Sequence, residues 1–148
     1  AILAAIAVPS YQDYVRRTHV AEAVSAARHV WNQIADNALN GVSPLNSGIR
    51  MPAPTPWYQL AATSSGNVDI YFRPKHFNGK QYYMTLLMRV HNTNNTVVGI
   101  QQGVIPEGKI VMWCVSAAAN PPWWAGVPVQ YAPEACRDAT GPAGMTLQ

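Results

Sequence analysis

Charge is what this sequence has least of. Only 11% of its 148 residues are Asp, Glu, Lys or Arg, against 49% hydrophobic, and an ordinary soluble domain carries roughly a quarter charged. Ser, Thr, Asn, Gln and Gly must then cover the surface, which suits an exported or self-assembling chain better than a crowded cytosol. The net charge of +3 is too small by itself to imply nucleic acid. Long apolar runs are also missing. Residues 1–8, AILAAIAV, are wholly apolar, but eight helical residues span only ~12 Å and a bilayer core needs about 20. No positive charge precedes the run and no small-residue cleavage site follows it, so it does not read as a secretory signal.

Catalytic patterns are missing as well. The histidines at 19, 29, 76 and 91 lack the i,i+4 spacing of a helical metal pair. There is no Ser/His/Asp set, no Gly-rich phosphate loop and no paired-Cys metal motif. The expectation is no catalytic residue, no metal ligand, no cofactor and no enzyme. Asn94-Asn95-Thr96 has the pattern of a glycosylation sequon, a short pattern of low specificity. The two cysteines, Cys114 and Cys136, read as one disulfide in an exported protein; two buried thiols are the alternative. A bond there closes a loop worth roughly 3 kcal/mol on the chain-entropy account.

What is present is a long helical pattern followed by strand signals. Val20, Ala23, Val24, Ala27, Trp31, Ile34, Ala35 and Ala38 recur at three- and four-residue steps and line one face. Asn40-Gly41 is a good stop, because glycine adopts the left-handed conformation cheaply. A helix that also takes in the first residues runs about 38 residues, or ~57 Å, far beyond what one domain's core needs. Its early turns call for cover from outside the domain. Pro9 lacks an N–H and clashes with the carbonyl four residues back, which predicts a kink or local unwinding at residues 5–9. Alternatively, the helix starts at Pro9.

Residues 41–66 are rich in Pro, Gly, Ser and Thr. Pro52, Pro54 and Pro56 block helix and central-strand pairing, so this span reads as a long surface loop packed by Trp57 and Tyr58. Four strands follow: residues 68–73, 82–90, 96–102 and 109–115, joined by turns at Asn78-Gly79, 91–96 and Pro106-Glu107-Gly108. These spacings favour an antiparallel meander. Leu87 and Val111 are candidate core residues. The predicted class is α+β: a long N-terminal helix packed on a four-stranded antiparallel sheet, with a disulfide-closed C-terminal loop. One globular domain is divided into a helix at 1–40 (1–9 apolar, 10–40 on the sheet), a Pro-rich connection at 41–66, the sheet at 67–116 and the C-terminal region at 114–148.

The stretch ILAAIAVPSYQDYVRRTHVAEAVSAA resembles the N-terminal helix of type IV pilins of Gram-negative bacteria. The string I-L-A-A-I-A-x-P-x-Y-x-D-Y, within Ile2 to Arg17, is highly specific; beyond about residue 27 the likeness is one of layout. In that family the mature chain starts about a dozen residues earlier, in a segment holding an N-methylated phenylalanine and a glutamate used in assembly. The resemblance implies the pilin fold, with a disulfide-bounded region between Cys114 and Cys136. It also implies a homo-oligomeric helical filament outside the cell, with the unassembled subunit in the inner membrane and handled by pilus assembly machinery. Ile2, Leu3, Ile6, Val8, Pro9, Tyr11 and Tyr14 are then the candidate filament-core residues. Adhesion to host or abiotic surfaces, twitching motility and DNA uptake are the expected roles.

Two surfaces are candidates for partners. Arg73, Lys75 and Lys80 cluster on a hairpin with Tyr71, Phe72, Phe77 and Tyr82, and basic residues among aromatics bind single strands by charge and stacking. The alternative is a charged hairpin tip whose aromatics belong to the core. Trp123 and Trp124 fall in the Cys114–Cys136 loop, which resembles an exposed adhesive ridge in the family. Arg16 and Arg17 read as a solvated helix flank or as partners for Asp13 or Glu22 of a neighbouring subunit. The competing functions are a minor pilin that binds DNA or adheres, and a pseudopilin of a type II secretion system.

Overall fold

A computed structural model describes residues 2–94, 96–116 and 125–137. Helix α1 spans Ile2–Leu39 without a break. It runs through Pro9, so the proline does not start the helix. Its end is a Schellman arrangement: Val42 N–H donates to Asn37 O at 3.0 Å and Gly41 N–H to Ala38 O at 3.2 Å, with Gly41 at φ +66°. Asn37 Nδ2 then donates to Leu45 O and Ser47 O, both at 2.8 Å, folding the next segment back along the last turn.

The sheet has six strands, where four were expected. They are β1 (Tyr58–Ala62), β2 (Val68–Phe72), β3 (Tyr82–His91), β4 (Val97–Gly99), β5 (Lys109–Val115) and β6 (Ala125–Gly126). Strand β3 is the axis of the sheet. It pairs antiparallel with β2 through residues 83–86 and with β4 through 89–91. On its other side it pairs antiparallel with β5 through 85–91 and parallel with β6 through 82–83. Strand β1 pairs antiparallel with β2 at the edge.

Both additional strands lie in segments expected to be loop. The prolines end at Pro56, and Tyr58–Ala62 is free to hydrogen-bond with β2 once a tight turn closes, in which Thr63 N–H donates to Asn67 O at 2.9 Å. The third predicted strand shrinks to Val97–Gly99.

Helix and sheet share one core. Val20, Ala23, Val24, Ala27, Val30, Ile34 and Ala38 of α1 meet Val68, Ile70 and Phe72 of β2 and Met84, Leu86 and Met88 of β3, all buried. Full burial of a side chain such as Ile34 or Met84 stabilises by about 1.5–3 kcal/mol. Leu87 and Val111 do not join this core. Successive strand side chains alternate between faces, and β3 turns Met84, Leu86 and Met88 inward. Leu87 therefore pairs with Trp113, and Val111 with Arg89, on the opposite face. On that face Asp69 is almost wholly buried and accepts from Tyr83 at 2.7 Å and Thr85 at 2.5 Å. Cys114 on β5 and Cys136 are joined in a disulfide, with Cα atoms 4.7 Å apart.

The turn into β5 depends on Gly108. Its φ is +144°, and a Cβ there would lie 2.5 Å from His91 O and 3.0 Å from Val90 Cγ1 and Asn92 Cα. Both the strain and the backbone clash act on the native state. Gly108→Ala should therefore destabilise by about 2 kcal/mol or more in urea unfolding, whereas Gly79→Ala, with open space around it, should be limited to its φ penalty of about 1 kcal/mol.

Candidate assembly interface

The helix packs on the sheet along only part of its length. Val20 is the first buried residue among the helix positions whose burial is described, 10–39. Before it, Tyr11 and Tyr14 are each 68% exposed, one turn apart on the face turned away from the core. The backbone of Ile2, Leu3, Ile6, Val8 and Pro9 continues the same helix; their side chains are outside the described set. Among the described residues no helix is long and apolar enough to cross a membrane.

Just below Val20 the helix is tied to two distant segments by one side chain. Arg16 donates from Nε to His76 O at 2.9 Å, from Nη1 to Asp13 Oδ1 at 3.0 Å and to the Tyr131 hydroxyl at 3.3 Å, and from Nη2 to Asn78 Oδ1 at 3.3 Å. Its guanidinium also lies 5.8 Å from the Tyr131 ring centroid, and the Tyr131 hydroxyl donates to Asp13 at 2.9 Å. Arg16 is therefore committed within its own chain, which corrects its reading as a solvated flank or a partner for a neighbour's acid. Arg17 is exposed and has no ion pair among the described residues.

A second tie is aromatic. Trp57 is sandwiched between His19, at a ring separation of 4.0 Å, and His76, at 3.7 Å. His19 Nδ1 lies 2.9 Å from Glu22 Oε2, and His76 Nε2 lies 3.0 Å from Pro56 O. The Tyr58 hydroxyl donates to the other Glu22 oxygen at 3.3 Å. Burial first, and then the Glu22 charge, push the Tyr58 phenol above its ordinary pKa. Helix, Pro-rich segment and β2–β3 connection are thus joined around one indole. Nothing local in the sequence signals it, because Trp57 reaches its neighbours only after the chain has folded.

The β2–β3 connection carries the basic cluster. Arg73, Lys75 and Lys80 are exposed, and Arg73 donates to Gln59 Oε1 at 3.4 Å. Of the aromatics beside them, Phe72 is fully buried and Phe77 is 3% exposed, and Phe77 meets Phe72, Tyr82 and Tyr131 edge-on, whereas Tyr71 lies on the opposite face against Tyr83. Lys75, His76 and Asn78 border a shallow groove with Tyr11, Gln12 and Val15. Trp123 and Trp124 lie outside the described residues. No group of three or more His, Cys, Asp or Glu among the described residues is placed to hold a metal ion.

A long helix lies on an antiparallel sheet, and a disulfide ties β5 to the segment that ends at Cys136. A crystal structure of a Pseudomonas aeruginosa type IV pilin superposes with a TM-score of 0.58 over 82% of this chain and 97% of that one, at 17% identity; at that identity the likeness is one of fold. The sequence is 52% identical over 40 residues to the type IV major fimbrial protein FimA of Dichelobacter nodosus, 27% of this chain and 25% of that protein. It is 28% identical over 133 residues to a fimbrial protein of Neisseria meningitidis, 87% of this chain and 65% of that one. The chain thus spans a quarter of the length of the FimA relative and about two thirds of the meningococcal one. No protein-family model matches the chain. The chain thus has the fold of a type IV pilin and is similar in sequence to two fimbrial proteins.

Two outcomes follow from the ties. Arg16→Ala should destabilise the fold by about 1–3 kcal/mol in denaturant unfolding, and Arg16→Lys should recover little of it, because an ammonium cannot reproduce the guanidinium fork across four partners. Stability should also fall in alkali. The Tyr58, Tyr71 and Tyr83 phenols are all raised above their ordinary pKa, first by burial and then by Glu22 for Tyr58 and Asp69 for the other two. Groups whose folded pKa is raised stabilise fully below the unfolded value, about 10 for tyrosine. They lose that contribution as pH rises through the folded value. Unfolding midpoints measured upward from neutral pH should therefore hold until about pH 10 and then decline.

Proposed function

We propose that this chain is a structural subunit of a type IV pilus, polymerising through its N-terminal helix into an extracellular filament. The observation that carries this reading is the mismatch between helix and sheet. Helix α1 has 38 residues, yet the sheet buries its face only from Val20 onward among the positions whose burial is described, and the segment before it has an apolar sequence. Burial of apolar surface is worth about 25 cal/mol per Å², and here it is available between copies rather than within one. Subunits related by a heterologous contact that does not close form an open helical polymer. In this reading the helices bundle at the centre, with Ile2, Leu3, Ile6, Val8, Tyr11 and Tyr14 between copies and the sheets outside. Before assembly the apolar segment associates with the inner membrane.

Pro9 removes one ladder hydrogen bond from the helix and supplies a point of local extension under tension. Filaments of this kind serve surface adhesion and twitching motility, with DNA uptake as a further role. Abundance on the cell decides between a major pilin and the minor-pilin or secretion-pseudopilin alternatives: long fibres that vanish on deletion of the gene support a major pilin, and fibres that persist demote it.

The interface itself is open to a direct test. Joint replacement of Tyr11 and Tyr14 by Ala should leave subunit unfolding within about 0.5 kcal/mol of the parent, because both are exposed. It should lower filament yield, counted by electron microscopy, by about tenfold or more, the factor that corresponds to ~1.4 kcal/mol. Filament yield equal to the parent would remove these tyrosines from the interface. Pro9→Ala should still assemble and give filaments that extend less under load.

A further inference from the structure

Exposed positive charge gathers where the helix leaves the sheet. Arg17 on α1 and Arg73, Lys75 and Lys80 on the β2–β3 connection are exposed. Arg16 holds that connection against the helix through His76 O and Asn78 Oδ1, and Lys75 borders the same groove as Tyr11 and Val15. The acids on this part of the helix are already engaged: Asp13 by Arg16 and Tyr131, and Glu22 by His19 and Tyr58. Arg17, Arg73, Lys75 and Lys80 make no ion pair among the described residues, and together they make up a basic collar.

Along the continuous helix the apolar residues 2–8 are followed by Tyr11 and Tyr14, each 68% exposed, at the level of the groove that Lys75 borders, and then by Arg17. Hydrocarbon, amphipathic ring and cation is the order of a lipid–water boundary, where Tyr sits at headgroup depth and Lys and Arg reach the phosphates. We propose that this collar docks the folded part of the subunit on an anionic lipid surface, with Arg17, Lys75 and Lys80 against headgroup phosphates and Tyr11 and Tyr14 at the boundary. A nucleic acid would present the same phosphates, but single strands also need stacking platforms. Phe72 and Phe77 are buried, and both faces of Trp57 are covered by histidines. The β2–β3 connection thus offers cations without a free Phe or Trp face for a base, and the exposed rings, Tyr11 and Tyr14, adjoin the apolar segment of the helix instead. The inference rests on the pilin reading only for the helix pointing toward a membrane before assembly, and vesicle binding by dispersed subunits fails or succeeds independently of filament formation.

The test is co-sedimentation of the 148-residue chain with vesicles of phosphatidylcholine alone and of phosphatidylcholine mixed with phosphatidylglycerol. Binding should be tighter to the anionic vesicles and should weaken with salt. Each of Arg17→Gln, Lys75→Gln and Lys80→Gln should weaken it by about fivefold, with the triple variant losing about a hundredfold, on the usual strength of a basic residue near an anionic surface. Lys109→Gln, at the start of β5, should bind as the parent does. Circular dichroism and thermal unfolding confirm that each variant is folded, and the single variants carry the test if the triple is not. Equal binding to both vesicle types, or parental binding by the folded triple variant, overturns the proposal. So does a single-stranded oligonucleotide that binds more tightly than the anionic vesicles through the same three residues.

Discussion

Close contact between α1 and the β2–β3 pair sets the position of every other segment. Ala23, Ala27 and Ala38 are fully buried, and their small side chains let the helix settle near the strands while Val20, Val30 and Ile34 fill the space between. Protein interiors pack as densely as organic crystals, so this seam admits little adjustment. The register of β3 on β2 decides which of its residues face the helix, and β4, β5 and β6 all take their places from β3.

Arg16 and Trp57 extend that seam toward the N-terminal half of the helix with polar and aromatic contacts in place of an apolar core. The division has a physical logic. A helix that buried its whole length in its own sheet would have nothing left to offer another copy. One anchored by an apolar stripe and finished with a guanidinium fork and a stacked indole leaves Tyr11 and Tyr14 uncovered.

The helix and the long-helix-on-sheet class were legible because periodicity is local. Val20, Ala23, Val24, Ala27 and Ile34 recur at helical spacing, and the Asn40-Gly41 stop needs only its neighbours. Strand β1 was not legible: Tyr58–Ala62 has no β-branched residue and follows three prolines, and its identity as a strand comes from β2. The face of Leu87 was ambiguous for a related reason, since an apolar residue on either side of a strand reads alike until the partner sheet is known. The site divides in the same way. Tyr11, Tyr14 and the hairpin cations stood out by type and spacing. The commitments of Arg16 were hidden, because its partners beyond Asp13 lie 60 to 115 positions away. The same separation hid the burial of Phe72 and Phe77 beside exposed lysines.

The prolines ahead of β1 have a consequence for crowding. Strand β1 is an edge, and an edge exposes unpaired backbone groups that invite another chain to add on. Pro52, Pro54 and Pro56 cannot donate hydrogen bonds, so the segment leading into β1 cannot lengthen that edge or template a neighbour. The strand itself stops after five residues. Where many copies are held side by side, sheet-to-sheet zipping would compete with ordered growth and would be hard to reverse. A short edge behind a run of prolines keeps that competing route closed wherever copies of this chain are crowded together.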